Sequence, residues 1–420
     1  MVLAFFLALL AVPAPAQPVP PPPETYTLEE ALHKAARNSP EVQVAEHDIV
    51  IAEQRTVEAR FQFYPEVGLQ ALAARYSARY PFSLRPEFRN ILLFPSNRQN
   101  IYSGQAYMTL SLYEGGKHVY TLRLAETALK QARAKLEAAK LDVKAATSRA
   151  WHAFLLAQER LAATEELLAQ ADKAPSRSAG GLAGLEIEAL EGDLRAQAGE
   201  EHRKREDARL DFLKVLNREL DTSAVPSGTL QTEAVDVDLR RVLLWAVELR
   251  PELQAQTYRA HMDAIAVNLA LGRRTPSVLL GLDTELTGQT FPLNRNNWDA
   301  TVAVRLPFSL DFWTQHTQKL SEQRQSEVRR AELRDQVHLE VRKAHGDLVH
   351  WQAEWPRRES EWLRLKELRE RAQMVPGSVD WLKASALVLA SRKRLLDSVA
   401  EHAVARTRLE RAVGRALPAP

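Results

Sequence analysis

The 420-residue chain contains no cysteine. That excludes disulfides, thiolate metal sites, cysteine nucleophiles and a lipidated N-terminal cysteine. Beyond its first residues it has no run of about 18 consecutive apolar residues, so no transmembrane helix is expected. Charge of one sign is absent as well: Lys+Arg 56 against Asp+Glu 54 leaves a formal +2. No basic block carries interleaved aromatics, so nucleic acid is not an expected partner. There is no G-x-x-x-x-G-K-S/T loop and no H-E-x-x-H motif. Glu30-Ala31-Leu32-His33 is an E-x-x-H, but di-metal bundle chemistry needs a second such motif and two more glutamates. The nearest candidate, Asp335 to His338, has the wrong acid. No cofactor, no metal and no enzymatic activity are therefore expected. Disorder is excluded by 45% hydrophobic residues.

What is present begins with an apolar run, Val2 to Val12, closed by Ala14-Pro15-Ala16. That pattern reads as a signal peptide over residues 1–16. Residues 17–26 read as a proline-rich spacer. The stretch around which the chain is organised runs from Tyr102 to Ala171. In its strand, Tyr102, Gly104, Ala106, Met108, Leu110 and Leu112 face one way. Ser103, Gln105, Tyr107, Thr109 and Ser111 face the other, the period of two of a half-buried strand. After Glu114-Gly115-Gly116 the period changes. Leu122, Ala125, Leu129, Ala132, Leu136, Ala139, Val143, Ala146, Ala150, Ala153 and Ala157 form a heptad stripe, the mark of a long coiled-coil helix.

The pattern occurs twice. Leu28, Leu32, Pro40-Glu41, Pro65, Val67 and Leu69 recur as Leu239, Leu243, Pro251-Glu252, Pro276, Val278 and Leu280, each 211 positions later. Prolines at element boundaries in identical register indicate an internal duplication. The first repeat spans 27–217: helices opened by a Thr27/Glu30 capping box, a β-hairpin over 66–113 with a loop from Pro81 to Asn100, and a long helical hairpin over 117–217. A linker covers 218–236. The second repeat spans 237–417: helices, a β-hairpin over 277–308, and a helical hairpin over 313–414. Pro356 is expected to kink or break the long helix. The turns between the long helices fall near Gly181 and Gly377.

The fold class expected is mainly α with inserted β-hairpins, internally duplicated, with long coiled-coil helices. A helix of about 55 residues spans roughly 80 Å, more than an ordinary domain's thickness. Four strands cannot close a membrane barrel, which needs at least about eight, whereas three chains supply twelve. A periplasmic coiled-coil structural protein without transport activity is the alternative. It leaves the signal and the hairpins unexplained.

Thr27-Leu28-Glu29-Glu30-Ala31-Leu32, Asn38-Ser39-Pro40-Glu41, Tyr64-Pro65-Glu66-Val67 and Ser111-Leu112-Tyr113-Glu114-Gly115-Gly116 occur in that order. The set resembles the TolC-like outer-membrane efflux factors. The resemblance implies a homotrimer whose α-barrel continues a 12-stranded (4 per chain) β-barrel, in the cell outer membrane with a helical tunnel in the periplasm. It implies a passive exit duct serving an inner-membrane RND or ABC-type pump through a periplasmic adaptor, with outer-membrane lipid around the barrel. By the same resemblance Gly181, Leu182, Gly377 and Ser378 are candidate adaptor-contact tips, and Asp380 and Lys383 a candidate periplasmic aperture. Gly115 and Gly116 are the strand-to-helix junction. Tyr76, Tyr80, Tyr102, Tyr107 and Trp298 lie near strand ends and are candidate membrane-interface aromatics. Tyr113 and Phe308 are expected to pack at the joint.

Overall fold

The computed structural model describes residues 24–75, 100–174, 181–288, 290–307 and 312–417. The signal, most of the spacer, the Pro81–Asn100 loop except Asn100 itself, Tyr76, Tyr80 and Phe308 lie outside the described residues. In chain order the elements are β1 (Glu24–Tyr26), α1 (Leu28–Asn38), α2 (Pro40–Phe61), β2 (Glu66–Arg75), β3 (Asn100–Glu114), α3 (Lys117–Asp172) and α4 (Leu182–Val215). The second half follows as β4 (Ala224–Pro226), α5 (Leu239–Leu249), α6 (Pro251–Gly272), β5 (Ser277–Gly288), β6 (Arg295–Arg305), α7 (Phe312–Arg371) and α8 (Val379–Val413).

Local chemistry sets the helix starts. The Thr27 hydroxyl accepts from the Glu30 N–H at 3.3 Å, and the Glu30 carboxylate accepts from the Thr27 N–H at 2.9 Å. This capping box satisfies two otherwise orphaned donors. It also engages the glutamate of the E-x-x-H sequence. Thr27→Ala is expected to cost about 1 kcal/mol, read as a lowered urea midpoint with an unchanged slope. Pro40 and Pro251 each open a helix, where a missing N–H costs nothing.

Two compact units do not coincide with the two repeats. One draws on residues 1–39, 146–232 and 351–404, the other on 40–145, 233–350 and 405–420, so each takes segments from both repeats. In the first, β1 pairs in parallel with β4, Glu24 opposite Ala224. The segments read as spacer and linker thus each supply a strand. Tyr26 packs edge-on against Phe212 at 5.9 Å, Phe212 meets Phe154 at the same distance, and both phenylalanines are fully buried. One turn of α8 is ion-paired to three helices: Arg392 to Glu166 of α3, Lys393 to Glu201 of α4, and Arg394 to Glu361 of α7.

In the second unit the sheet has the order β2-β3-β5-β6, antiparallel throughout. The two hairpins are therefore joined through β3 and β5. The helices follow the same order. Arg133 of α3 reaches Glu53 of α2 at 3.3 Å, and Gln131 of α3 donates to the Ala255 carbonyl of α6 at 3.3 Å. Ser326 of α7 donates to Asp263 of α6.

The repeat persists in tertiary detail. The last helix of each repeat ends in a left-handed residue, Asn217 at φ 51° and Gly414 at φ 83°. In the first unit Asn217 Nδ2 donates to the Asn38 carbonyl at the α1–α2 corner. In the second, Gly414 lies so close to the α5–α6 corner that a Cβ there would stand 3.3 Å from the Leu249 carbonyl oxygen.

Two expectations need correction. Of the kink or break expected at Pro356, the break does not occur, and helix α7 runs through it; a proline removes one N–H donor while its fixed φ remains helical, and many intact turns flank it. In α3 the heptad stripe shifts by one residue after Val143. Thr147, Trp151 and Phe154 are buried, whereas Ala146 and Ala150 are half-buried and Ala153 is exposed; at Ala157 the stripe is buried again. The large side chains take the interior there and turn the alanines outward.

Candidate functional site

The register decides what each sheet face carries. One face takes Val67, Leu69, Ala71 and Ala73 of β2, Tyr102, Ala106, Met108 and Leu110 of β3, Leu280, Leu282 and Leu286 of β5, and Trp298, Ala300, Val302 and Val304 of β6, with Thr284 and Asn296 its polar members toward the loop end. The other takes Gln70, Ser103, Gln105, Tyr107, Thr109, Asp283, Glu285, Thr287, Asn297, Asp299 and Thr301, with Leu72, Ala74, Leu279 and Ala303 interspersed. The apolar face is left bare: Leu69 is 86% exposed, Trp298 74% and Val302 65%. A sheet in a water-soluble domain buries its apolar face; a barrel in lipid turns it outward and keeps the polar face for its interior. Among the described residues no helix is long and apolar enough to cross a membrane. Among the described residues, strands β2 and β6 each pair with one strand and are open edges.

Tyr102 and Trp298 lie on the apolar face toward the loop end of the strands, and Phe291 packs on Tyr102 at 5.1 Å between ring centres. That suits interfacial aromatics, which need one apolar and one wet side. Tyr107 differs from the expectation: the pleat turns it to the polar face, opposite Gly68 and Asp283. Tyr113 stays half-exposed within the chain rather than packing at the joint.

Sequence reasoning did not single out the carboxylates of the polar face. Asp283 and Asp299 stand directly opposite each other, and Glu285 lies one row on beside Gln105. Gln105 Nε2 donates to Asp283 at 2.7 Å. Their signal was present, as Asp283 and Glu285 at alternate positions of one strand and Asp299 in the next. Deciding that those positions share one face required the cross-strand register. Among the described residues of this face, Glu66, Asp283, Glu285 and Asp299 outnumber Arg295 and Arg305.

The strand-to-helix junction is a close backbone crossing. Gly115 and Gly116 have φ of 63° and 78°, the left-handed region that favours glycine. A Cβ on Gly115 would overlap the Thr275 hydroxyl and the Gly272 carbonyl, where α6 ends before β5. Gly272 is equally confined, since its Cβ would stand 2.5 Å from the Gly115 carbonyl oxygen. Beside this crossing, Lys117 pairs with Glu114 at 2.8 Å and His118 packs on Phe63 at 5.5 Å.

At the helical turns, Gly181 has φ 79° and precedes α4, and the adjoining Leu182 is 75% exposed. Gly377 also has positive φ and is buried; the Ser378 hydroxyl accepts from the Trp381 N–H at 3.2 Å and caps α8. Trp381 and Leu382 are buried with Ala163, Leu167 and Ala171 of α3 and Leu194 of α4, so one core knits both hairpins together. Asp380 is exposed in the first turn of α8. Lys383, also exposed, reaches Glu186 of α4 at 3.4 Å. Among the described residues no group of three His, Asp or Glu side chains has metal-binding geometry.

Residues 31–177 match the family described as outer membrane efflux protein. Similar solved structures include the CmeC outer membrane channel of Campylobacter jejuni, with a TM-score of 0.74 at 16% identity, covering 92% of this chain and 85% of that one. The outer membrane protein VceC of Vibrio cholerae aligns with a TM-score of 0.74 at 15% identity, over 93% of this chain and 96% of its own. The open-state MtrE outer membrane channel of Neisseria gonorrhoeae gives 0.73 at 17%, over 92% and 89%. No curated protein matches in sequence. The likeness to TolC-like outer-membrane efflux proteins stands, and the fold is theirs: mainly helical, with inserted strands.

Proposed function

We propose that three copies of this chain form an outer-membrane exit duct. The observation that carries the reading is the inverted sheet, bare and apolar on one side, polar on the other, with open edges at β2 and β6. Edge-to-edge closure of three such sheets gives twelve strands and leaves no unpaired backbone in lipid. The matching order of strands and helices within the second unit supports a helical wall continuing each strand. The duct is passive. An inner-membrane pump of RND or ABC type supplies the energy, and a periplasmic adaptor binds the turns that carry Gly181, Leu182, Gly377 and Ser378. With Gly377 buried and Ser378 engaged as a cap, exposed Leu182 is the best-presented of the four. In a trimer Asp380 supplies a ring of three carboxylates at the periplasmic opening. Lys383, drawn to Glu186, contributes less to that ring.

The deciding experiment is extraction of the full chain from outer membranes in detergent, followed by gel analysis with and without heating and by planar-bilayer recording. A heat-sensitive trimer that conducts is the expected result. Recovery as a soluble periplasmic monomer would overturn the reading and favour the structural-rod alternative. The excess of acids on the polar sheet face predicts a preference for cations. Asp283→Asn combined with Asp299→Asn is expected to move the reversal potential in a salt gradient toward zero. An unmoved potential would show that these carboxylates do not line the passage.

A further inference from the structure

We propose that Gly68 determines the clear width of the passage at its level, by giving the Tyr107 ring a place flat against the wall. The inference rests on the duct reading above.

Gly68, Tyr107, Asp283 and Asp299 form one row across all four strands, on the polar face. A Cβ on Gly68 would clash with the Tyr107 ring, standing 2.4 Å from Cζ, 2.5 Å from Oη and 2.8 Å from Cε1. The phenol therefore leans away from Asp283 and covers the glycine on the edge strand. Backbone conformation does not require glycine here, because Gly68 is not among the residues with positive φ. A glycine inside a strand gives up side-chain packing and backbone order, and covering it with an aromatic ring from the next strand compensates. The other glycines of the sheet lack this arrangement. Gly104 has open space at its Cβ, and the nearest atoms at Gly281 stand at ordinary contact distance, 3.9 Å or more. Gly288 meets Thr290 and Leu293, not a ring.

The consequence is a small side chain controlling a large one. A side chain at position 68 meets the far end of a flexible residue, so the ring moves and the wall stays. On one side the ring has the strand carrying Asp283. Its remaining course is away from the sheet, into the space the polar face encloses. Three copies would bring three phenols inward at the same level. The selection that follows is by size: small solutes pass as before and bulky ones do not.

Absence of cysteine from the chain supplies a clean reporter. Thr301 lies on the polar face one row nearer the helices than Asp299. A reagent arriving from the loop end of the strands must pass the Tyr107 row to reach it. Thr301→Cys trimers in intact cells would be labelled from outside with N-ethylmaleimide and with maleimide-polyethylene glycols of graded mass, and the rates read on isolated trimer. Adding Gly68→Leu is expected to slow the largest reactive polymer about tenfold and N-ethylmaleimide less than about twofold. Gly68→Leu with Tyr107→Ser is expected to restore the rate. Tyr107→Ser alone is expected to leave both rates near those of the parent, because the ring already lies out of the way. An unchanged polymer rate in Gly68→Leu trimers would overturn the inference, as would a large acceleration by Tyr107→Ser alone. The second arm decides even if Gly68→Leu yields no trimer. Failure of N-ethylmaleimide to reach the parent cysteine would instead overturn the duct reading.

Discussion

Gly115→Val is expected to remove most of the proposed trimer, at a cost of about 2–5 kcal/mol. About 1–2 kcal/mol comes from forcing a side chain into the left-handed region and about 1–3 kcal/mol from overpacking. The residue combines φ 63° with a Cβ direction that points into Gly272 and Thr275. Two neighbours separate these causes. Gly116→Val meets a similar backbone cost at φ 78°, but its Cβ faces only the Tyr120 ring, at 3.1 Å, and a ring can shift. Gly272→Ala carries no positive φ and tests the close approach alone, against the Gly115 carbonyl oxygen. The expected order of loss is Gly115→Val above Gly272→Ala and Gly116→Val, read as yield of heat-sensitive trimer and as the denaturant midpoint. Equal losses at 115 and 116 would mean that strain alone matters and the crossing of the two backbones does not.

The second large effect is expected at Arg250. Its side chain is 4% exposed, pairs with Glu252 at 3.1 Å and lies 2.6 Å from a Glu340 oxygen. Arg411, from the end of α8, faces the same two glutamates, is hydrogen-bonded to Glu340, and adds Asp142 of α3 at 2.6 Å. Two guanidinium groups and three carboxylates thus hold α3, α6, α7 and α8 at one point. Burial alone would lower the Arg411 pKa. Its hydrogen bond to Asp142 and the charges of Asp142, Glu340 and Glu252 outweigh that and raise it, so this cation does not titrate over any working pH. Removing one partner of a buried pair costs about 3–5 kcal/mol. Glu340 is 41% exposed and regains some water, which puts Arg250→Ala near the lower end, about 3 kcal/mol. Arg250→Met refills the volume and is expected to recover part of that loss. Midpoints of urea denaturation for the two variants provide the check. An Arg250→Ala midpoint within error of the parent would show that Arg411 alone suffices.

The node also shows how the two repeats diverge. The residue equivalent to Arg250 is Ser39, at the α1–α2 corner. Ser39 is buried without charge, and there the seated helix end is held by Asn217 through a single neutral hydrogen bond. Duplication preserved the corner and the left-handed helix end; the Arg250 charge has no counterpart at Ser39.

Much of the fold was legible because it is written locally. The Thr27 and Glu30 pair, Pro40 and Pro251, the change of period at Gly115-Gly116, and Gly414 at the end of α8 each act within a few residues. Alternation along β3 and β5 already separated Tyr102 from Gln105 and Leu282 from Asp283. Helix faces were legible less well. The stripe of α3 moves from Ala146 to Thr147 because several neighbours bury that helix, and a heptad pattern speaks for one neighbour at a time.

The sequence by itself determined the helices, the four hairpin strands with their two chemical faces, and their duplicated order, since these follow from backbone geometry and side-chain periodicity over short spans; β1 and β4, three residues each, carry too little periodicity to be read and appear only through their mutual pairing. Only the tertiary structure decided that β3 pairs with β5, that Gly115 meets Gly272, that Tyr107 lies on Gly68, and that Arg250 and Arg411 share their acids. Apart from the ring on Gly68, which joins strands of one hairpin, each of these unites residues more than a hundred positions apart. Their partners are set by register and by the packing of whole elements, which no local pattern encodes.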